Sequence, residues 1–128
     1  DAVTDAFKAA VPHWRGIRDL DDAAAADRIA ADGIDVLVDC AGHTAGNRLG
    51  VFALRPAPRA VTWLGYGDTT GLGCIDYRLT DEVLSPAAEG NRWSSETFLR
   101  LPHGLFTFDP LSPLPEIAPP PYYGVRNY

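Results

Sequence analysis

Two short loops hold the residue types best suited to chemistry in this chain. The first is Gly42-His43-Thr44-Ala45-Gly46, and the second is Leu64-Gly65-Tyr66-Gly67-Asp68-Thr69-Thr70-Gly71. Glycines let backbone approach a ligand closely, and the amides of a helix starting at Asn47 can hold an anion such as a phosphate. His43 and Thr44 are expected to point into one crevice. The second loop sets two hydroxyls among permissive positions, which suits wrapping a sugar or phosphate, and Asp68 can accept hydrogen bonds from sugar hydroxyls. On pattern alone each loop is also an ordinary connection between elements. Neither is a Walker loop, since no Gly-Lys-Ser/Thr follows, and neither is a GxGxxG fingerprint.

The remaining reactive side chains read as structural. Asp76 and Asp81 have Arg78 between them, which favours a solvated or salt-bridged edge over an acid–base pair or a metal site. His13 and His103 lie among aromatics and prolines. Cys40 and Cys74 sit at strand edges and match no zinc spacing; small buried residues in a reducing compartment are the expectation. No Ser/His/Asp arrangement or HExxH is visible, so no residue stands out as a self-sufficient nucleophile or base. No metal site is expected.

These loops need strands to hold them. Asp1 to Ala10 reads as the tail of a helix, and Val11 to Leu20 as a connection. Asp21 to Gly33 (DDAAAADRIAADG) predicts a helix, capped by its first carboxylates and closed by a left-handed glycine. Ile34 to Cys40 is a β-branched run of the kind buried on both faces of a parallel sheet. Asn47 to Leu54 predicts a short helix with Asn47 as its cap and Val51 and Leu54 facing inward; Arg55-Pro56-Ala57-Pro58 ends it. Arg59 to Leu64 is the second strand, Gly65 to Gly73 a loop, and Ile75 to Leu79 a third strand. Ser85 to Ser95 reads as a surface loop and Thr97 to Leu101 as a further strand. Pro102 to Pro121 holds most of the 11 prolines and reads as an extended linker. Tyr122 to Tyr128 begins to look like a new strand. Alternating helices and strands describe βαβ crossovers and predict a doubly wound α/β fold, a Rossmann-like parallel sheet.

The chain has 128 residues, 46% of them hydrophobic, which is enough for one packed core. Its net charge of −6 argues against nucleic acid and anionic membranes as partners. No apolar run approaches the ~20 residues a membrane span needs, and no signal peptide is visible, so the cytoplasm is expected. The chain contains no methionine. It therefore reads as a piece of something longer.

The block from Asp32 to Asp81 resembles the central part of the catalytic region of O-linked N-acetylglucosaminyltransferases, the OGT/SPINDLY-type family with its bacterial homologues. The likeness runs through Gly42-His43-Thr44, Asn47-Arg48-Leu49, Phe52-Ala53, Arg55-Pro56-Ala57-Pro58, Trp63-Leu64-Gly65-Tyr66, Thr69-Thr70-Gly71 and Asp76-Tyr77. Leu101-Pro102-His103-Gly104 extends it, and the whole covers roughly Trp14 to Phe108.

That resemblance implies a GT-B enzyme, with two Rossmann-like lobes and a sugar nucleotide in the cleft between them. Members invert at the anomeric carbon, transfer a sugar to Ser or Thr hydroxyls of proteins, need no metal or cofactor, and usually carry TPR repeats ahead of the catalytic region. Residues 1–108 would be part of the N-terminal lobe, and 109–128 a proline-rich linker toward a C-terminal lobe. The donor is expected to be UDP-GlcNAc. The family's proposed acid–base histidine lies upstream of this block, and most nucleotide-gripping residues lie in the C-terminal lobe. What carries over is a wall of the donor/acceptor cleft: His43, Thr44 and Ala45 from the first loop, and Leu64, Gly65, Tyr66, Gly67, Asp68 and Thr69 from the second. Many members have Pro-Gly where this chain has Gly67-Asp68, and animal enzymes carry a lysine at the position of Ala45. The SPINDLY branch uses fucose, so GDP-fucose is the alternative donor. A non-catalytic α/β module that binds a ligand or a protein is the alternative from another class.

Overall fold

A computed structural model describes residues 1–107 together with 114, 116 and 117. The elements are α1 (Ala2–Ala10), α2 (Asp22–Ala31), β1 (Val36–Asp39), α3 (Leu49–Ala53), β2 (Arg59–Thr62), β3 (Tyr77–Thr80), a 3-10 turn (Ala87–Glu89) and β4 (Thr97–Arg100). All four strands are parallel and adjoin in chain order, β1-β2-β3-β4. The Rossmann-like parallel sheet is therefore present. The doubly wound arrangement is not: among the described residues the strand order never reverses. The linker expected at 109–128 and the strand expected at Tyr122 to Tyr128 fall, save for residues 114, 116 and 117, outside the described residues.

Helix α2 forms as its sequence dictates. The Asp21 carboxylate accepts the Ala24 amide at 2.7 Å, and Gly33 follows the helix at φ 64°. Ala25 and Ala26 are buried against Val51 of α3. The alanine run thus supplies helix propensity and a surface flat enough for close helix contact. Arg48 locks the junction by donating to Asp22 and to the carbonyls of Ile17 and Leu20.

Helix α3 is shorter than expected. It starts at Leu49 because the Asn47 side chain bonds one turn early, accepting the Leu49 amide at 3.2 Å, and Arg48 takes the cap position. It stops at Ala53, which turns Leu54 outward, 54% exposed, rather than inward. Leu49 and Phe52 pack on Ala60, Ile75 and Leu37, and Val51 faces α2. This N-terminus offers little to the anion expected there. One of its amides already has a partner, and a five-residue helix has little dipole to offer.

Crossover β2–β3 has no helix, and β3–β4 has only the 3-10 turn. Cation–π contacts stand there instead: the guanidiniums of Arg78 and Arg100 each lie 5.3 Å from the ring of Phe98 of β4.

Strand β1 departs from expectation. Leu37 faces the core under α3, but Val36 and Val38 on the opposite face are 49% and 44% exposed, and Leu99 of β4 is 41% exposed. Cys40, expected to be buried, is exposed, and Cys74 is half-buried. The apolar run is right for a strand covered on both sides, yet only one side is covered by described residues. A parallel sheet with a bare apolar face seeks cover. The isolated chain is expected to self-associate, and Val38→Lys to shift it toward monomer in sedimentation velocity. A monodisperse wild-type monomer that unfolds cooperatively would overturn this.

Candidate functional site

The loops after β1 and β2 meet in two backbone-level contacts. A Cβ on Gly65 would stand 2.1 Å from the Cys40 carbonyl oxygen, and one on Gly42 would stand 2.2 Å from Tyr66 Cβ. Only glycine permits either approach, and Gly42 also has φ 53°. With the loops this close, the His43 ring meets Tyr66 edge-on, centroids 5.3 Å apart. Leu64 sits at φ 74° between Trp63 and Gly65, whose carbonyl and amide bond to each other at 2.9 Å. This is a tight three-residue turn with a strained non-glycine centre.

Two buried carboxylates shape the loops. Asp39, the last residue of β1, accepts the Ala41 amide at 3.0 Å, the Gly42 amide on both oxygens and the Thr62 hydroxyl at 2.8 Å. Glu96, just before β4 and 2% exposed, accepts the Thr69 hydroxyl, the Thr70 amide and hydroxyl, and the Ser94 hydroxyl. Burial pushes the Glu96 carboxyl up, but the bonds from Thr69, Thr70 and Ser94 outweigh it and bring it to about 2. The Thr70 carbonyl, in turn, receives His43 Nε2 at 2.8 Å.

The expected cleft residues fall as follows. His43, Thr44, Ala45, Leu64, Gly65, Tyr66, Gly67 and Asp68 are exposed, and Thr69 is half-buried. The Thr44 hydroxyl donates to the Ala41 carbonyl at 2.7 Å, a local turn rather than a free donor. Asp68 accepts the Thr69 amide at 2.7 Å and lies 3.6 Å from Arg78, which also donates to the Gly67 carbonyl. A cleft of ≈ 270 Å³ opens beside this loop, lined by Gly67, Asp68, Arg78, Trp93, Ser94 and Phe98. His13 and His103 are exposed and apart from both loops in sequence.

The two aspartates read as an edge pair have separate roles. Asp76 bonds to Arg55 at 3.1 Å and accepts the Ala60 amide; the amide first, then Arg55, hold its carboxyl below the usual range against some desolvation. Asp81 is not solvated or ion-paired. It is buried, and the amides of Leu84, Leu105 and Val83 hold its carboxyl below the usual range. Partial desolvation and the Asp39 charge push the Cys40 thiol up, away from nucleophile behaviour. Among the described residues no group of three or more His, Cys, Asp or Glu could hold a metal.

Asp39, Arg78 and Glu96 are the parts that sequence reasoning missed. Asp39 lies inside an apolar run, and Glu96 follows two serines far from the loop it holds. Neither has a local motif.

A profile of glycosyl transferase family 41 matches residues 16–118. The chain belongs to that family. The glycosyl transferase family 41 chain is 43% identical over 106 residues to a probable UDP-N-acetylglucosamine–peptide N-acetylglucosaminyltransferase SPINDLY of Oryza sativa subsp. japonica, covering 83% of this chain and 11% of that protein. It is 46% identical over 85 residues to the UDP-N-acetylglucosamine–peptide N-acetylglucosaminyltransferase of Caenorhabditis elegans, covering 66% of this chain and 7% of that protein. The structure of a mutant O-GlcNAc transferase of Thermobaculum terrenum superposes with TM-score 0.86 at 39% identity, over 93% of this chain and 23% of that one. The family 41 chain thus spans about a tenth of the two relatives' length.

Two measurements test the site's construction. Gly65→Ala and Gly42→Ala each force backbone or Cβ atoms apart and are expected to destabilise by about 1–3 kcal/mol in thermal unfolding. Gly67→Ala, with nothing within 4 Å of the new Cβ, is expected to stay within about 0.5 kcal/mol. The second is acid unfolding. The Glu96 carboxyl titrates near 2 when folded and near 4.5 otherwise, so its contribution is complete above about pH 4.5 and is lost as pH falls toward 2. Glu96→Gln is expected to flatten that part of the stability–pH curve; an unchanged slope would refute the assignment.

Proposed function

We propose that this chain is part of the N-terminal lobe of an inverting protein O-glycosyltransferase, of GT-B architecture, that transfers N-acetylglucosamine from UDP-GlcNAc to Ser or Thr hydroxyls. The observation that carries the reading is the likeness, over 93% of the chain at TM-score 0.86 and 39% identity, to a solved O-GlcNAc transferase. The residues fit such a role. His43 and Tyr66 form an exposed polar and aromatic rim, Asp68 offers carboxylate oxygens, and Gly67 brings backbone to the cleft surface. In this reading the wall formed by His43, Thr44, Ala45, Leu64, Gly65, Tyr66, Gly67, Asp68 and Thr69 faces donor sugar and acceptor.

The acceptor oxygen bonds to the anomeric carbon in line as the bond to the nucleoside diphosphate breaks. The hydroxyl proton passes to a base outside this chain, and groups of the second lobe stabilise the leaving diphosphate. The wall's task is placement: holding the sugar so that attack proceeds from a fixed geometry. The C-terminal lobe, a TPR region and acceptor proteins are the proposed partners. The cytoplasm is the proposed location, in keeping with two unpaired cysteines. Among the described residues no helix is long and apolar enough to cross a membrane.

The test uses the full polypeptide carrying this chain. UDP-GlcNAc is expected to bind by calorimetry and to support transfer to a Ser/Thr peptide, with both lost in Gly65→Val. Binding of GDP-fucose instead would change the donor and keep the transferase. Binding of neither would favour a non-catalytic module.

A further inference from the structure

A buried carboxylate holding four hydroxyl and amide donors is expensive to build, and it sits one residue's backbone away from the exposed histidine of the site. Glu96 grips residue 70 twice, through its amide at 2.8 Å and through its hydroxyl. The other oxygen holds Thr69 at 2.6 Å and Ser94 at 2.7 Å. Residue 70, 3% exposed, therefore has little freedom, and its carbonyl direction is set. That carbonyl is the partner of His43 Nε2. A carbonyl oxygen accepts only, so Nε2 must carry the proton. In a neutral ring Nδ1 is then an acceptor. Tyr66 meets the ring edge-on and limits its rotation.

We propose that Glu96 is a positioning residue for the candidate site: through Thr70 it fixes His43 as the Nε2–H tautomer and presents Nδ1 as a hydrogen-bond acceptor for a hydroxyl of the sugar or of the acceptor side chain. This deepens the transferase reading and rests on it only for the identity of the hydroxyl. Glu96 touches no substrate. It acts by choosing which ring nitrogen carries the proton.

The test begins with the tautomer itself. Histidine labelled with ¹⁵N in the chain gives three ring systems, and His43→Gln assigns the one of interest. In its neutral ring, wild type is expected to show a protonated Nε2 and an unprotonated Nδ1. Glu96→Gln, and Thr70→Val as the milder change, are expected to shift His43 toward a tautomer mixture. Ser94→Ala removes a bond to Glu96 but neither bond to residue 70, and is expected to leave His43 unchanged. Should Glu96→Gln fail to fold, Thr70→Val decides. An unchanged His43 spectrum in a folded Glu96→Gln or Thr70→Val variant overturns the proposal.

The second arm is kinetic, on the full polypeptide. Glu96→Gln is expected to lower kcat/KM for transfer by roughly 10-fold or more, as a small misplacement does. Combined with His43→Gln it is expected to add little to the loss from His43→Gln alone, because both act through one group. Additive losses overturn the relay. If wild type transfers no sugar, the transferase reading fails, and the tautomer measurement still decides the role of Glu96.

Discussion

The end of β1 governs how both loops sit. Asp39 is buried there, 4% exposed, and a buried carboxylate without partners would cost several kcal/mol or take up a proton. It is satisfied by two amides of the loop that follows and by a hydroxyl of the neighbouring strand. That set of bonds turns the chain sharply at Cys40 and joins β1 to β2 beyond their ladder. The turn presents the Cys40 carbonyl to Gly65 and brings Gly42 under Tyr66. The His43–Tyr66 edge contact follows from that placement, and the reach of His43 to residue 70 needs it together with the grip of Glu96 on Thr70.

The same solution recurs around the sheet. Asp81 at the end of β3 takes three amides, Asp76 before β3 takes the Ala60 amide, and Glu96 before β4 takes that of Thr70. Parallel strands joined by short or absent helices leave many backbone amides without ladder or helix partners. Carboxylates, which only accept and accept strongly when ionised, are suited to collecting them. The crossovers of this fold therefore depend on side-chain acceptors where a longer helix would have satisfied its own amides.

This division explains what was legible in the sequence. All four strands are legible: β1 and β2 from their β-branched residues, β4 as Thr97 to Leu101, and β3 as Ile75 to Leu79, two residues ahead of where its ladder starts at Tyr77. Helix α2 is legible because Asp21, the alanines and Gly33 each state a local preference. The glycines at 42 and 65 read as close approaches to a ligand, and the structure commits both to the facing loop instead. The long-range partners could not be read: nothing near Glu96 names Thr70, and nothing near Arg78 names Gly67 or Phe98. Asn47 misled because its side chain can bond the backbone at more than one offset, and it chose the Leu49 amide. Val36 and Val38 misled differently. Their apolar character reports the environment the strand is built for, and the described residues supply only the half of it above Leu37 and Ala60.

The strained turn at Leu64 fits between these constraints. A residue with a side chain at φ 74° is unfavourable by about 1–3 kcal/mol and persists only where its surroundings leave no alternative. Here the chain must leave β2, whose Thr62 is tied to Asp39, and within a few residues bring Gly65 against Cys40 and Tyr66 against His43. A relaxed turn would lengthen the path and pull one of those contacts apart. Burial of Thr62 and the close glycine contacts together hold the turn, and the result is a rim whose backbone is set before any ligand arrives. A site prepared in this way meets less ordering cost on binding. The strain at Leu64 and the buried charges at Asp39 and Glu96 are two expressions of that one requirement: the loops must be rigid although almost no regular structure supports them.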